Sequence, residues 1–411
     1  MSGLSGKHET RRSPVMVTGL GVVSPLGTLA TGLVDALLEG RSGVRAIETT
    51  DPARTSTQFA APVTEIPVPA GIEPAEFVRL DRLEQMCLSP LAAAVADARL
   101  AATPGRRVGL VLGLGAEHLK TWESDFLAGG RDVFEPTREA TLVHRLAARL
   151  GLNGPAVTVA AACGSSGYAL AVARSWLRLG WVDACLAGGC DILSPTSLAA
   201  FYNLRALSRR NDDAAAASRP FDTGRDGFVM GEGGGFFMLE RAREARARGA
   251  CLRGELAGVG MSSDGSHMVA PNTDPTQAAR AIAAALADAD ITPAEIDYFN
   301  AHAAGTPVGD VAEAGAIRIA CGTAADTIPV SSTKSMTGHL VSGAAAFEAA
   351  ACLGAIERQA VPPTVNLDNP DPACPLDHVA HVARPRRVEV AASNSFGFGG
   401  SNLCLVFRRA A

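Results

Sequence analysis

Short apolar runs broken by small-residue turns alternate with stretches of helical periodicity along the chain. Residues 15–19 predict a strand that enters a Gly-x-Gly bend, and residues 29–39 predict the helix that follows. A similar pattern recurs at residues 255–265, where an apolar run is again followed by a Gly-x-Gly bend and a small polar turn. The repetition predicts an internal duplication with its seam at residues 246–252.

Each predicted half repeats the order strand, turn and helix. The strand–helix pairs that show this order are residues 156–161 with 168–179 and residues 296–300 with 310–319. Two further strands are predicted at residues 108–112 and 403–407. Strands that alternate with helices across short connections are typical of α/β layering, so the sequence predicts mixed sheets with mostly parallel central strands.

Three segments are expected from this pattern. Residues 1–13 are polar and predict a disordered N-terminal tail, since they lack the apolar core of a signal peptide. Residues 14–252 form the first half, and residues 253–411 form the second. Residues 117–150 lack a counterpart in the second half, so we interpret them as a capping insertion.

Composition narrows the class of protein. Hydrophobic residues make up 47% of the 411 residues, which is enough for a large core. No apolar run reaches the ~20 residues of a membrane span, and the formal net charge of −5 argues against nucleic-acid binding. Nine cysteines, an odd number without Cys-x-x-Cys spacing, disfavour both a disulfide scaffold and a zinc site. We therefore expect a cytoplasmic protein without a bound metal.

Cys163 is the first candidate for chemistry. It lies in Val157-Thr-Val-Ala-Ala-Ala-Cys163-Gly-Ser-Ser-Gly167, where the predicted strand turns into the predicted helix. A thiol at a helix N-terminus meets unpaired N–H groups and the positive end of the helix dipole, which stabilise a thiolate. The sequence thus predicts a nucleophile, with a buried structural thiol as the alternative.

Two histidines follow predicted strands of the second half. His302 comes directly after residues 296–300, and His339 ends the segment Ser331-Ser-Thr-Lys334-Ser-Met-Thr-Gly-His339. Ligands bind at the carboxyl ends of strands in such sheets, so both rings are placed to meet the thiol. A thiol with two neutral imidazoles suits acyl transfer, in which the thiol takes an acyl group and the imidazoles donate hydrogen bonds to a second carbonyl. A Cys–His metal set is the alternative, which the spacing disfavours.

A glycine-rich segment near the C-terminus completes the candidate site. Asn394-Ser-Phe396-Gly-Phe398-Gly-Gly-Ser-Asn402 predicts a turn whose backbone amides can point at an oxyanion. Phe396, Phe398 and Asn402 are accordingly candidate supporting residues.

These motifs resemble the β-ketoacyl-acyl carrier protein synthases, in particular the elongating type II enzymes of the thiolase-like superfamily. The resemblance spans nearly the whole chain. The segments that carry it are Ser218-Arg-Pro-Phe-Asp222, Arg225-Asp-Gly-Phe-Val-Met-Gly-Glu232, the segment from Ser331 to His339, Val361-Pro-Pro-Thr-Val-Asn-Leu-Asp-Asn-Pro370 and Asn394-Ser-Phe-Gly-Phe-Gly-Gly400. The resemblance implies a duplicated α/β fold in five layers, α-β-α-β-α, that works as a dimer.

The resemblance also implies a role for each matching residue. The implied catalytic residues are Cys163, His302, His339 and Lys334. The implied supporting residues are Glu348, Phe396, Phe398 and Asn402, the implied pantetheine contact is Thr306, and the implied acyl-pocket residues are Phe201 and Tyr202. In the family the cysteine is acylated and the histidines promote decarboxylation of a malonyl thioester. No cofactor is implied beyond the phosphopantetheine of an acyl carrier protein.

The histidine loop departs from the family pattern. The usual His-Gly-Thr-x-Thr-Pro reads His302-Ala303-Ala304-Gly-Thr306-Pro here, and residues 113–118 carry charge and bulk in place of glycines. Ala304 removes a hydroxyl that normally contacts the pantetheine arm, and one such hydrogen bond contributes roughly 0.5–1.5 kcal/mol. The departure is expected to tune binding rather than to abolish it.

Several functions stay open at this point. The first is a decarboxylative condensing enzyme of fatty-acid or polyketide biosynthesis, and the second is a specialised ketosynthase that acylates Cys163 but then cyclises the chain. A non-catalytic partner subunit or a coenzyme A thiolase fits this set of residues less well. The expected partners are an acyl carrier protein and a second copy of the chain, with a related subunit as the alternative. Arg205, Arg209 and Arg210 are candidates for carrier docking, or alternatively a solvated helix end.

Overall fold

The computed structural model describes residues 13–29, 32–47, 57–100, 105–115, 119–127, 129–130 and 141–410. The predicted disordered tail lies outside these ranges apart from Ser13. Much of the proposed capping insertion also lies outside them. Its described parts are mainly two helices, Leu119–Leu127 and Leu142–Arg149.

Strands and helices alternate through the described chain. The strands are β1 Val15–Ser24, β2 Gly27–Thr28, β3 Arg45–Ala46, β4 Phe59–Ala60, β5 Val108–Gly113, β6 Ala156–Val159, β7 Ala184–Asp191, β8 Gly233–Arg241, β9 Gly254–Ser263, β10 Tyr298–Asn300, β11 Pro329–Ser331, β12 Ala360–Val361, β13 Asp377–His378, β14 Arg384–Pro385, β15 Val390–Gly397 and β16 Ser401–Arg408. The helices are α1 Leu33–Leu38, α2 Pro74–Phe77, α3 Arg82–Ala98, α4 Leu119–Leu127, α5 Leu142–Arg149, α6 Ser165–Arg178, α7 Pro195–Asn203, α8 Ala242–Ala247, α9 Thr276–Asp288, α10 Pro307–Cys321, α11 Lys334–Thr337 and α12 Ala344–Arg358.

The main sheet contains the same strand arrangement twice. In the first half the order is β1-β8-β7-β5-β6, and in the second it is β9-β16-β15-β10-β11 with β13 added at the edge. In both halves the first two pairings are antiparallel and the next two are parallel. The halves join where β1 pairs with β9 through two residue pairs, Met16 with Glu255 and Val17 with Gly254. The duplication expected from the sequence is therefore present in the fold.

Parallel pairing is confined to the outer strands of each half. The strands around the junction, β7-β8-β1-β9-β16-β15, are all antiparallel neighbours. The sheet is mixed as expected. Mostly parallel central strands were expected as well, but the parallel strands lie in the outer part of each half and the central strands are antiparallel. The reason is that β1 and β9 form the inner edge of each half-sheet with β8 and β16 antiparallel beside them, and the halves meet through β1 and β9.

Five layers follow from the packing of helices on this sheet. Helices α6 and α12 contact each other between the two half-sheets, α3 and α5 cover the outer face of the first, and α9 and α10 cover that of the second. Alternate residues of a strand point to opposite faces. Thus Phe237 and Leu239 of β8 enter the central core, while Phe236 and Met238 enter the outer one.

The Gly-x-Gly pairs do not bend the chain as the sequence analysis expected. Gly19 and Gly21 lie within β1, and Gly258 and Gly260 lie at the equivalent place in β9. A Cβ on Gly21 would lie 2.0 Å from the Pro90 carbonyl oxygen of α3, and one on Gly260 would lie 1.9 Å from an α9 carbonyl oxygen. The glycines are therefore present because a helix backbone packs directly on the strand.

Candidate active site

Cys163 lies in a tight turn between β6 and α6. The turn is a short 3₁₀ segment, Ala162–Gly164, in which Ala162 has a left-handed φ of 47°. The Ser165 hydroxyl closes the turn by donating to the Ala162 carbonyl (2.7 Å) and accepting from the Ala161 amide (2.9 Å). Cys163 is buried and contributes to the wall of a cavity of about 380 Å³.

The thiol is protonated in the substrate-free site, in contrast to the thiolate expected from the sequence. Burial raises the pKa of Cys163 to about 11, while the positive charge of Lys334 and a hydrogen bond from the Phe398 amide act in the opposite direction. The helix N-terminus favours the thiolate as well. Desolvation nevertheless prevails, so the nucleophile has to lose its proton during the reaction.

The glycine-rich segment approaches the Cys163 turn from β15. The Phe398 backbone amide donates a hydrogen bond to the thiol sulfur. Gly397 makes this approach possible, because a Cβ there would lie 3.0 Å from the Ala161 carbonyl oxygen and 3.3 Å from the Cys163 amide nitrogen. The backbone amides of Cys163 and Phe398 are thus adjacent, as a pair of oxyanion donors must be.

His302 and His339 face each other in the same cavity. Their ring centroids are 5.3 Å apart and the planes are nearly perpendicular. Burial lowers the pKa of both imidazoles well below the usual value, and the charge of Lys334 lowers the two pKa values further. Both rings are therefore neutral at physiological pH.

The hydrogen bonds of the two rings define their tautomers. The Val341 amide donates to Nδ1 of His339 at 3.3 Å, and the Lys334 ammonium donates to Nδ1 of His302 at 3.4 Å. A neutral imidazole that accepts at one nitrogen carries its proton on the other. Each ring therefore has an Nε2–H available to donate to a molecule in the cavity.

Two buried carboxyl groups contact the residues that position the histidines. Glu348 forms a buried ion pair with Lys334. Glu313 accepts the backbone amides of His302 (2.8 Å) and Ala303 (2.6 Å) and the side-chain amide of Asn394 (3.0 Å). Burial raises the pKa of each carboxyl group to about 7. Glu313 was missed in the sequence, although two acidic residues, Asp310 and Glu313, near the start of the helix after the histidine loop were a usable signal.

The altered histidine loop accommodates both of its alanines. Gly305 has a φ of 86°, whereas Ala303 and Ala304 lie outside the left-handed region and tolerate a Cβ. Ala304 lines the cavity beside Thr306. The hydroxyl lost at position 304 is therefore lost from the cavity wall itself.

Three further residues expected at the site, Phe396, Asn402 and Phe201, line the cavity. Phe396 lies with its ring centroid 6.0 Å from that of His302 and lines the cavity. The Asn402 side chain reaches the cavity wall but donates to Asp264 at 2.7 Å, which holds it in place. Phe201 lines the cavity and lies 5.9 Å, between ring centroids, from Phe398.

Tyr202 does not line this cavity, nor the one behind it, because its side chain lies under the Arg209 guanidinium at 6.0 Å. Of the three arginines considered for carrier docking, Arg205 is at the cavity wall. Arg210 instead donates to the Gly224 carbonyl at 3.0 Å. The structure therefore separates one mouth arginine from two that make local contacts.

A second cavity of about 220 Å³ lies behind the Cys163 turn. Phe201 lines both cavities, and Ala162, the residue before Cys163, lines the second. Most of the lining is apolar, with four polar side chains. They are Asp191, Ser194, Ser197 and Ser342.

The described residues include neither a membrane-spanning helix nor a metal-binding cluster. No helix there has the length and apolar character required to cross a bilayer. In the same ranges, His, Cys, Asp and Glu side chains form no cluster of three or more suited to a metal ion.

Comparison with known proteins agrees with this geometry. The N-terminal domain model of the beta-ketoacyl synthases matches residues 12–245, and the C-terminal domain model matches residues 253–368. The 3-oxoacyl-[acyl-carrier-protein] synthase 2 of Synechocystis sp. is 40% identical over 96% of this chain and 98% of its own length. The tetracenomycin polyketide synthase ketoacyl synthase alpha subunit of Streptomyces glaucescens is 35% identical over 98% of both chains.

Solved structures show the same likeness. A type II polyketide ketosynthase, solved in complex with its acyl-carrier protein and bound to the hexaketide, superposes with a TM-score of 0.86 and 32% identity, covering 97% of this chain and 100% of that chain. The chain therefore belongs to the beta-ketoacyl synthase family. The thiolase-like fold, the acyltransferase class and the ketosynthase function in fatty-acid or polyketide biosynthesis, all expected from the motifs, are confirmed.

Proposed function

We propose that the protein transfers an acyl group from a carrier-protein thioester to Cys163 and then condenses it with a malonyl thioester. The observation that carries the proposal is the convergence of Cys163, His302 and His339 on one cavity, with both imidazoles neutral and each offering an Nε2–H. A thiol and two hydrogen-bond donors are the groups that the two half-reactions need.

The first half-reaction is a thioester exchange. The Cys163 sulfur attacks the acyl carbonyl, and the carbonyl oxygen takes the negative charge within reach of the Cys163 and Phe398 amides. Collapse of this intermediate breaks the bond to the carrier sulfur, which leaves as a thiol with the proton that Cys163 loses. The acyl chain then extends into the cavity behind the turn.

The second half-reaction forms the carbon–carbon bond. The malonyl thioester carbonyl accepts hydrogen bonds from His302 and His339, so that loss of carbon dioxide leaves an enolate whose oxygen is stabilised by two donors. The enolate carbon attacks the acyl-Cys163 carbonyl. The intermediate expels the cysteine sulfur, which recovers a proton, and the product is a β-ketoacyl thioester.

The substrates are proposed to arrive on the phosphopantetheine arm of an acyl carrier protein, without a further cofactor. Two groups in the cavity lining support this, the Thr306 hydroxyl for the arm and the Arg205 guanidinium for an anionic carrier. A homodimer is proposed as the working unit, since β6 has a ladder partner on one side only among the described strands.

The test uses a saturated acyl-carrier thioester and malonyl-carrier thioester labelled with ¹³C in the free carboxyl group. The proposal expects one labelled carbon dioxide for each β-ketoacyl product, and no β-ketoacyl product from a Cys163→Ala variant supplied with the acyl group. Acylation of Cys163 without any labelled carbon dioxide would contradict it.

That same outcome would favour the non-extending ketosynthase, for which Ala304 at the cavity wall is the specific observation. In that case the acyl group leaves Cys163 as a cyclised product, and mass spectrometry of the released molecule identifies it.

A further inference from the structure

Val341 has a backbone conformation that its side chain disfavours. Its φ is 46°, in the left-handed region, which is costly for a β-branched residue. The same residue donates its amide to Nδ1 of His339 at 3.3 Å. The strained conformation and the bond that fixes the His339 tautomer therefore belong to one residue.

His339 itself is anchored through its backbone. Its amide donates to the Val229 carbonyl at 2.7 Å, and its carbonyl accepts from the Gly231 amide at 2.9 Å. These bonds hold the Cα position but leave the imidazole rotation and the proton position to the side-chain contacts. Contacts from other parts of the fold must therefore hold the turn that follows His339.

Ser342, the residue after Val341, is held from two other parts of the fold. Its amide donates to the Asp191 carboxylate at 3.1 Å, and its hydroxyl makes a further hydrogen bond to the same carboxylate. The Gly115 amide, at the end of β5, donates to the Ser342 hydroxyl at 2.9 Å. Ser342 is buried and lines the second cavity, and its hydrogen bonds join the turn to the end of β7 and to the residues after β5.

The position of Asp191 gives this contact its rigidity. Asp191 ends β7, and its other oxygen accepts the Ile192 amide at 2.9 Å. Gly343 packs on the same strand end, where a Cβ would lie 3.1 Å from the Cys190 Cα and 2.1 Å from the Gly233 carbonyl oxygen. Hydrogen bonds to Asp191 and the packing of Gly343 therefore fix the position of the turn at and after Ser342.

We propose that Asp191 and Ser342 form a positioning pair that holds Val341 in its left-handed conformation and thereby fixes the Nε2–H tautomer of His339. Neither residue reaches the reacting atoms. Their role is to keep a hydrogen-bond donor, rather than an acceptor, directed at the malonyl carbonyl. This rests on the donor role of His339 in the proposed function.

The variants that test the pair are Ser342→Ala and Asp191→Asn. Ser166→Ala is the matched control, because the Ser166 hydroxyl accepts the Ala346 amide at 3.0 Å in the first turn of α12, outside residues 339–342. All three remove or weaken a buried side-chain-to-amide hydrogen bond at one helix start. They should lower the melting temperature to a similar degree.

The first readout is the His339 tautomer, observed by NMR of protein labelled with ¹⁵N-histidine and assigned with a His339→Ala spectrum. In the wild type and in Ser166→Ala the Nδ1 resonance should be that of an unprotonated acceptor. In Ser342→Ala the two tautomers should be mixed. This readout needs no turnover, so it stands even if the wild type releases no carbon dioxide and the proposed function fails.

The second readout is the pH profile of malonyl decarboxylation. Loss of the Val341 bond removes a hydrogen bond to the neutral ring, so His339 would be protonated at higher pH and the acid limb should move up by about half to one pH unit. The rate at neutral pH should fall about tenfold or more, a larger factor than any loss in Cys163 acylation, which Ser342 influences only through the lining of the second cavity. The titratable groups around His339 are Lys334 and His302 beside it, Cys163 in the same cavity wall and Asp191 beyond Ser342.

A wild-type tautomer and an unmoved acid limb in Ser342→Ala would overturn the proposal. So would equal losses of acylation and decarboxylation in Ser342→Ala and Ser166→Ala, since that is what a purely structural role produces. Should Ser342→Ala not fold, Asp191→Asn decides the matter. Asp191→Asn keeps one acceptor oxygen. It should therefore change the His339 tautomer and the acid limb in the same direction, but by a smaller amount.

Discussion

Lys334 and Glu348 form an ion pair in which the side chains are only 2% and 1% exposed. Replacing Glu348 with Gln leaves the ammonium group buried without a counter-charge, which costs about 3–5 kcal/mol of unfolding free energy. The double variant Lys334→Met, Glu348→Leu should lose less, because neither member of the ion pair is left unpaired, although Glu313 loses the favourable charge of Lys334. Denaturant titration measures both, and a larger loss in the double variant than in the single one would contradict the argument.

The protonated state of Cys163 leads to a prediction for its reactivity. Since burial raises the pKa of the thiol to about 11, alkylation by iodoacetamide in the absence of substrate should accelerate about tenfold per pH unit between about pH 7 and 9. Peptide mass spectrometry follows the modification of Cys163. A rate that levels off near neutral pH would mean that the thiolate forms without help from the substrate.

Single residues also show what the sequence can and cannot reveal. Cys163, His302 and His339 stand out because each follows a strand beside small residues, and the structure brings all three to one cavity. Asp191 and Ser342 act through a contact between distant segments, and a hydrogen bond across 151 sequence positions leaves no local pattern. Burial of the thiol is likewise a property of the folded chain.

At the scale of elements, the close approach of β15 to the Cys163 turn depends on Gly397. A Cβ there would lie 2.7 Å from the Ser401 hydroxyl oxygen and 3.0 Å from the Ala161 carbonyl oxygen. Gly397→Ala should therefore push the Phe398 amide away from the oxyanion position and lower kcat about 10²-fold, the effect of losing one donor. Steady-state kinetics with a thermal melt check this. A melting temperature that collapses, or a kcat that is unchanged, would contradict the stated cause.

The periodicity of the elements was predicted better than their roles. The strands and helices that carry Cys163 and His302 lie where the sequence placed them, with ends shifted by a few residues. The Gly-x-Gly pairs were correctly recognised as a repeat but not as strand positions under a helix. A Gly-x-Gly tripeptide occurs both at bends and where a helix backbone packs closely on a strand, and only the neighbouring backbone distinguishes the two cases.

At the scale of the whole molecule, the free edge of β6 leads to a prediction about assembly. β6 pairs with β5 alone among the described strands, and Val157 within it is 36% exposed. An apolar strand edge of this kind is a template for pairing with another chain. We expect a mass of about twice 42.2 kDa in light scattering, reduced to the monomer by Val157→Lys. A monomeric wild type with full activity would contradict the proposed dimer.

The central claim is that acyl transfer to Cys163 precedes, and is consumed by, decarboxylative condensation. The most direct measurement isolates the acylated protein, adds malonyl-carrier thioester and follows intact mass together with carbon dioxide in a single turnover. The account predicts that the acyl mass leaves Cys163 at the same rate as one equivalent of carbon dioxide is released. Loss of the acyl group to water without carbon dioxide, or an acyl mass on another residue, would contradict it.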